Sequence, residues 1–203
     1  MNRATTFIMG AFSGLAAVAG WRYYHTRTAT QVRYESRRLL DGIEIRQYPA
    51  VVVAETVAET ESEARGKLRS YLSGANAART AISETTPVRI QPEPVALSTP
   101  TDEGSSSGRT RLGVYLPPSH TPKTAPEPRD RSVLLTVEPP RTVAVCPVSR
   151  YPHADRIKRA KTQLQSALVK NDFIAVGSAF VFRYENTLLG SLTERAEVGV
   201  EIA

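Results

Sequence analysis

Cysteine is almost missing from this chain. Cys146 is the only one in 203 residues, so no intrachain disulfide can form. Histidine is nearly as scarce, and His25, His120 and His153 are too scattered to supply a metal site of Cys/His spacing. Nor does the sequence hold a nucleophile with a base at motif spacing, a phosphate-cradling glycine loop or a metal-ligand set, so a binding role is expected rather than catalysis. The basic segments carry no interleaved aromatics, which argues against nucleic acid as a partner. A net charge of +6 is instead that of a basic surface. With 41% hydrophobic and 23% charged residues the composition is that of a globular protein, and the length suits one well-buried domain with an appendage.

Long apolar runs are also rare, and the exception is at the N-terminus. Between Arg3 and Arg22 lie 18 uncharged residues, ATTFIMGAFSGLAAVAGW. As a helix they span roughly 27 Å, close to the bilayer core of about 30 Å. Trp21, Tyr23 and Tyr24 suit the membrane interface, and Gly10 and Gly14 have the spacing of a helix-packing pair. Residues 1–31 are therefore expected to be a membrane anchor with a basic juxtamembrane linker, inserted in the lipid bilayer through residues 4–21. Arg22, Arg27, Arg33, Arg37 and Arg38 outnumber Arg3, which puts the following domain on the cytoplasmic side. The alternative is a cleaved signal peptide, for which Ala17-Val18-Ala19 has the small-x-small form, and the domain is then exported.

Beyond residue 31 the pattern is mixed. Thr60-x-x-Glu63 is a capping box that predicts a helix over 61–73, closed by Gly74, with Ala64, Leu68, Tyr71 and Leu72 as its apolar stripe. A second helix is expected from about Pro152 to Lys170, carrying Ile157, Ala160, Leu164, Ala167 and Leu168 at helical spacing. Arg156, Lys158, Arg159 and Lys161 read as its solvated face. Each helix is preceded by a strand, a proline and a more apolar strand: IEIRQYPAVVVAE in the first copy and LLTVEPPRTVAVCP in the second. In the first copy the alternating IEIRQY predicts a strand with one wet face, and the run after Pro49 a strand buried on both faces or lining an apolar cavity. The repeat predicts two similar halves and an α+β fold. RLGVYLP, GSAFVFRY and AEVGVEI supply further strands. Twelve of the 14 prolines fall between Pro87 and Pro147, so the most irregular chain lies between the halves.

Seven stretches occur in an order and spacing that resembles the SOUL haem-binding protein family: YESRRLLDGIEIRQYPAVVVAET, YLSGAN, ISETTPV, YLP, APEPRD, VEPPRTVAV and ERAEVGVEI. The resemblance covers nearly all of residues 32–203. It implies a distorted antiparallel β-barrel of two pseudo-symmetric halves with two flanking helices, binding haem or another tetrapyrrole in a shallow apolar cleft. No enzymatic reaction is implied.

A tetrapyrrole is a flat apolar disc with two carboxylates on one edge, so its carrier needs an apolar wall and cations, with an axial iron ligand optional. In one branch of the family the ligand is a histidine within the stretch that reads EIRQY here, and this chain has Gln47 at that position. By position in the family, the first helix carries Arg65 and Arg69, with Leu68 and Leu72 as apolar neighbours. The two guanidinium groups either pair with propionates or are solvated. Glu84 stands where the family usually has methionine, and Ala196 where it usually has asparagine. Gln47 and Glu84 together motivate a second reading, a binding module for another amphipathic or cationic small-molecule ligand. Cys146 is read as a buried small hydrophobe.

Overall fold

The structure, a computed structural model, describes residues 30–92, 109–148, 152–184 and 195–203. The segment 4–21 expected to enter the bilayer lies outside the described residues, as does most of TDEGSSSGR. Among the described residues no helix is long and apolar enough to cross a membrane.

In chain order the first repeat opens with β1 (Thr30–Gln31), β2 (Glu35–Leu40), β3 (Ile43–Tyr48) and β4 (Val51–Ala58), continues through α1 (Glu61–Leu72), and ends with β5 (Thr85–Thr86), β6 (Val88–Pro92) and β7 (Thr110–Tyr115). The second repeat has β8 (Val133–Glu138), β9 (Arg141–Val148), α2 (Ala154–Lys170), β10 (Ala175–Tyr184) and β11 (Arg195–Ile202), and the leading strands exchange in space, so that the first half of the molecule is β4, β6, β7, β8 and α1 and the second is β2, β3, β9, β10, β11 and α2. Both helices and the strands before them fall where the sequence puts them, but the strands on either side of each proline do not pair with each other: β3 joins β9 and β4 joins β8. Thr60 caps α1 by accepting a hydrogen bond from the Glu63 amide at 3.2 Å, and Gly74 takes the left-handed conformation just past its end, with φ of +107°. The hairpin joining β2 to β3 turns on Asp41 and Gly42, both with positive φ, the backbone that a two-residue turn of matching twist requires.

Nine strands form one antiparallel sheet in the order β2-β3-β9-β11-β10-β6-β7-β4-β8, and β1 pairs separately with β5 in parallel. The expected barrel is corrected here: the sheet is open, with β2 and β8 as its edges. β2 exposes Glu35, Arg37 and Arg38 and carries a bulge between Ser36 and Arg38, and charge and irregularity of this kind discourage strand addition.

Three clusters of buried apolar residues divide the interior. In the first half, α1 packs Leu68 and Leu72 on Val52, Ala54, Leu112 and Val114. In the second, α2 packs Leu164 and Leu168 on Ile43, Ile45, Ala144 and Val198. The third lies between the halves on the opposite face of the strands, and joins Tyr48, Val53, Tyr115, Val143, Phe180 and Phe182. β4 and β9 serve two clusters each by alternation, which is why their sequences are apolar on consecutive residues.

Candidate functional site

Strand alternation aims a second set of side chains at the central cluster. Phe182 is flanked by Tyr48 at 6.2 Å, Tyr115 at 6.3 Å and Phe180 at 4.7 Å between ring centroids. Gly199 makes room for this packing: a Cβ there would meet the Phe180 ring at 2.6 Å.

Two ionic networks border the rings. In the second half, Arg46 donates to both oxygens of Glu197, at 2.6 and 3.1 Å, and its Nε and Nη2 reach Glu44 Oε2 at 3.0 and 2.7 Å. Tyr184 donates to Glu197 at 2.6 Å, and Arg195 reaches the same carboxylate at 2.5 Å. Burial opposes ionisation of Glu197, but Arg46 and then Arg195 prevail and hold its carboxyl below the ordinary carboxylate range. Burial likewise disfavours charge on Arg46, and Glu197 more than reverses this, so the guanidinium stays protonated. In the first half, Glu55 accepts from Arg89 and Arg111, each at 3.1 Å, and from the Thr136 hydroxyl at 3.0 Å. Glu138 pairs with Arg89 and Arg141, and Arg141 donates to the Tyr115 hydroxyl at 3.0 Å.

The strand β3 differs from its sequence reading at this point. IEIRQY has no wet face along most of its length: Ile43 and Ile45 are buried on one side, and Arg46 and Tyr48 are 2% exposed on the other. The charges face inward because each finds partners there. The Tyr48 hydroxyl is the exception: it is buried, makes no well-directed hydrogen bond, and burial pushes its pKa up to about 12.

The residues read from the sequence as site candidates are spread over three places. Gln47 is exposed on β3 and accepts from Arg37 at 2.9 and 2.5 Å. Arg65 and Arg69 lie half-buried on α1, where Arg65 binds Glu61 at 2.7 Å, and Arg183 of β10 comes within 3.7 Å of the same carboxylate. Leu68 and Leu72 are buried in the first-half core, turned inward from the α1 surface. Glu84 is exposed ahead of β5. The structure thus gathers Arg65, Leu68, Arg69 and Leu72 on one helix, with Gln47 and Glu84 on other elements. Cys146 is fully buried, and burial raises its thiol pKa. His120 contacts Ser119, and His153 sits ahead of α2 without capping it through its side chain. Among the described residues no group of His, Cys, Asp and Glu could hold a metal ion.

An open α+β sheet with one helix outside each half, enclosing aromatic rings and paired charges between them, defines a two-halved domain whose chemistry is concentrated at the join. The model of the SOUL heme-binding protein family matches residues 29–201, and the chain belongs to that family. No curated protein matches the chain. Among solved structures, the EcmrR C-terminal domain is similar with a TM-score of 0.55 at 10% identity, over 84% of this chain and 98% of that one. A hydrolase from Listeria innocua reaches a TM-score of 0.57 at 7% identity, over 93% and 98% of the two chains. At such identities the likeness shows the fold alone.

Proposed function

We propose that this protein binds haem or a related tetrapyrrole reversibly, for transport, buffering or delivery, without acting on it chemically. The observation that carries the reading is membership of a haem-binding family over residues 29–201. The residues present fit such a ligand in two respects. Aromatic and aliphatic side chains are concentrated between the halves, and arginines stand both there and on α1, where Arg65 and Arg69 are the candidates for the propionates. They give the iron no ligand at Gln47, whose amide oxygen is engaged by Arg37. The ring is therefore expected to be held by its faces and its carboxylates.

The alternative, a cationic ligand, is less well supported. A cation needs an uncompensated carboxylate, and the buried acids Glu55, Glu138 and Glu197 each already pair with at least two arginines. Adding a cation means breaking a buried ion pair, which is costly. Titration of the full chain with haemin, followed in the Soret region, is expected to saturate near one equivalent. A linear, non-saturating rise would refute the reading.

Tethering through residues 4–21, with the domain on the cytoplasmic side, remains part of the proposal. Alkaline carbonate extraction should leave the chain in the membrane pellet, and release into the supernatant would argue for a cleaved or peripheral form.

A further inference from the structure

The segment between β1 and β2 performs a task that neither half needs for its own core. β1 is tied to the first half through β5, and β2 is paired with β3 in the second, so Val32, Arg33 and Tyr34 cross from one half to the other. Alternation turns Val32 and Tyr34 inward and leaves Arg33 exposed. Val32 packs into the central cluster with 8% exposure, and the Tyr34 ring lies 5.3 Å from the ring of Tyr48. The Arg46 guanidinium stands 4.4 Å from the centre of the Tyr34 ring.

The platform under Tyr34 is built without it. Arg46 is fixed by Glu44 and Glu197, and Tyr48 by packing against Phe182. The tie over the platform, in contrast, is slight. The ladder to β5 is two residues long and parallel, extended by one bond from the Val32 amide to the Thr86 carbonyl at 3.0 Å, and so short a pairing is marginal by itself. Underneath lies the Tyr48 hydroxyl, 2% exposed as a residue and without a well-directed hydrogen bond. Its polar neighbour is the Arg46 guanidinium, whose well-directed bonds go to Glu44 and Glu197 instead.

We propose that Thr30–Tyr34 is a displaceable strap, and that the surface it covers is the seat of the ligand's planar ring, whose place the Tyr34 ring holds when the ligand is absent. The inference rests on the tetrapyrrole reading and deepens it by moving the seat from the α1 surface to the join of the halves. With the strap lifted, a ligand ring stacks on the Arg46 guanidinium and on Tyr48 as Tyr34 does now. The Tyr48 hydroxyl gains a hydrogen-bond partner. Because the strap competes for the same surface, apparent affinity is reduced by the fraction of time it is closed.

Three forms of the full chain test this by haemin titration: wild type, Tyr34→Ala, and the pair Gln31→Cys with Thr86→Cys. The last two positions are neighbours in the β1–β5 ladder, within reach of a disulfide, and buried Cys146 is kept out of the exchange. Tyr34→Ala should bind about 3- to 10-fold tighter, the worth of the ring and cation contacts it removes. The oxidised cysteine pair should lose saturable binding and recover it on reduction. Wild-type binding that is indifferent to the lock, and weakened instead by Arg65→Glu with Arg69→Glu, would place the seat on α1 and overturn the inference while the function stands. Absence of haemin binding in wild type and Tyr34→Ala alike would overturn the tetrapyrrole reading and the seat with it. Amide exchange gives a ligand-free check. The Val32 amide should exchange at least roughly 100-fold faster than those of β9 through local opening, and exchange only on global unfolding would show that the strap does not lift.

Discussion

The two halves share a plan, strand pair, helix, strand pair, but their inward surfaces carry different chemistry. Gly113 in the first half and Gly199 in the second occupy matching places, opposite β4 and β9 respectively. On the other side of Gly199 the paired residue is Phe180, and on the other side of Gly113 it is Arg89. One backbone position thus holds a ring in one half and a guanidinium in the other. The second half presents rings beside the bidentate Arg46–Glu197 pair, whose side chains are 3% and 2% exposed, whereas the carboxylates of the first, Glu55 and Glu138, are 10% and 8% exposed. The backbone repeat satisfies the sheet and the helices, and the difference between the halves gives the join its apolar side and its polar side.

That comparison is most easily broken at its most buried charge. Replacing Glu197 with Leu leaves buried Arg46 with Glu44 alone and takes the Glu197 carboxylate from Arg195, and chemical denaturation should show a loss of about 3–5 kcal/mol. Glu55→Gln in the first half should cost less, about 1–2 kcal/mol, because Glu55 is itself nearer to water than Glu197. Equal losses would mean that the halves are not energetically distinct. The same carboxylates set the acid limit. Glu197 and Glu44 are held below the ordinary carboxylate range in the folded state, with burial opposing and Arg46 prevailing in both. Their contribution is complete above the unfolded value of about 4.3 and disappears as pH falls through the lower folded value. Stability measured against pH should therefore be level from about pH 5 to 8 and fall below about pH 4, and Glu197→Gln should make the fall shallower.

The glycines sharpen the comparison at smaller cost. At Gly199 a methyl group would meet two Phe180 ring carbons at 2.6 and 2.9 Å, so Gly199→Ala should destabilise by about 1–3 kcal/mol. At Gly113 the nearest atom is Val53 Cγ1 at 3.1 Å and the Arg89 guanidinium is at an ordinary contact distance of 3.5 Å, so Gly113→Ala should cost under about 1 kcal/mol. The smallest contrast lies in the helix caps. Thr60→Ala removes a cap from α1 and should lower stability by about 1 kcal/mol. His153→Asp, where α2 has no side-chain cap, should raise it by about 0.5–1 kcal/mol. Thermal melts of the two variants moving in the same direction would contradict this assignment.

Much of this fold is legible in sequence because its signals are local. The capping box at Thr60, the helical spacing from Ile157 to Leu168, and the proline between successive strands all act within a few residues. What was not legible depends on distant partners. Arg46 looks solvent-facing in IEIRQY, and only its bond to Glu197, 151 residues away, makes it internal. β2 escapes notice because its exposed charges deny it an alternating strand pattern. The site was partly legible. The helix carrying Arg65 and Arg69 is where the sequence places it and buries the apolar stripe read from its spacing, Leu68 and Leu72 included, yet no local pattern reveals that Tyr34 covers the join.

The central claim is that this chain holds a tetrapyrrole by the faces and carboxylates of the ring, without relying on a bond to iron. It is tested most directly by titrating the full chain with iron-free protoporphyrin IX, followed by its fluorescence, beside haemin under the same conditions. The account predicts saturable binding of both, with affinities within about threefold, a difference of less than 1 kcal/mol. Saturable binding of haemin with none of the iron-free ring would contradict it.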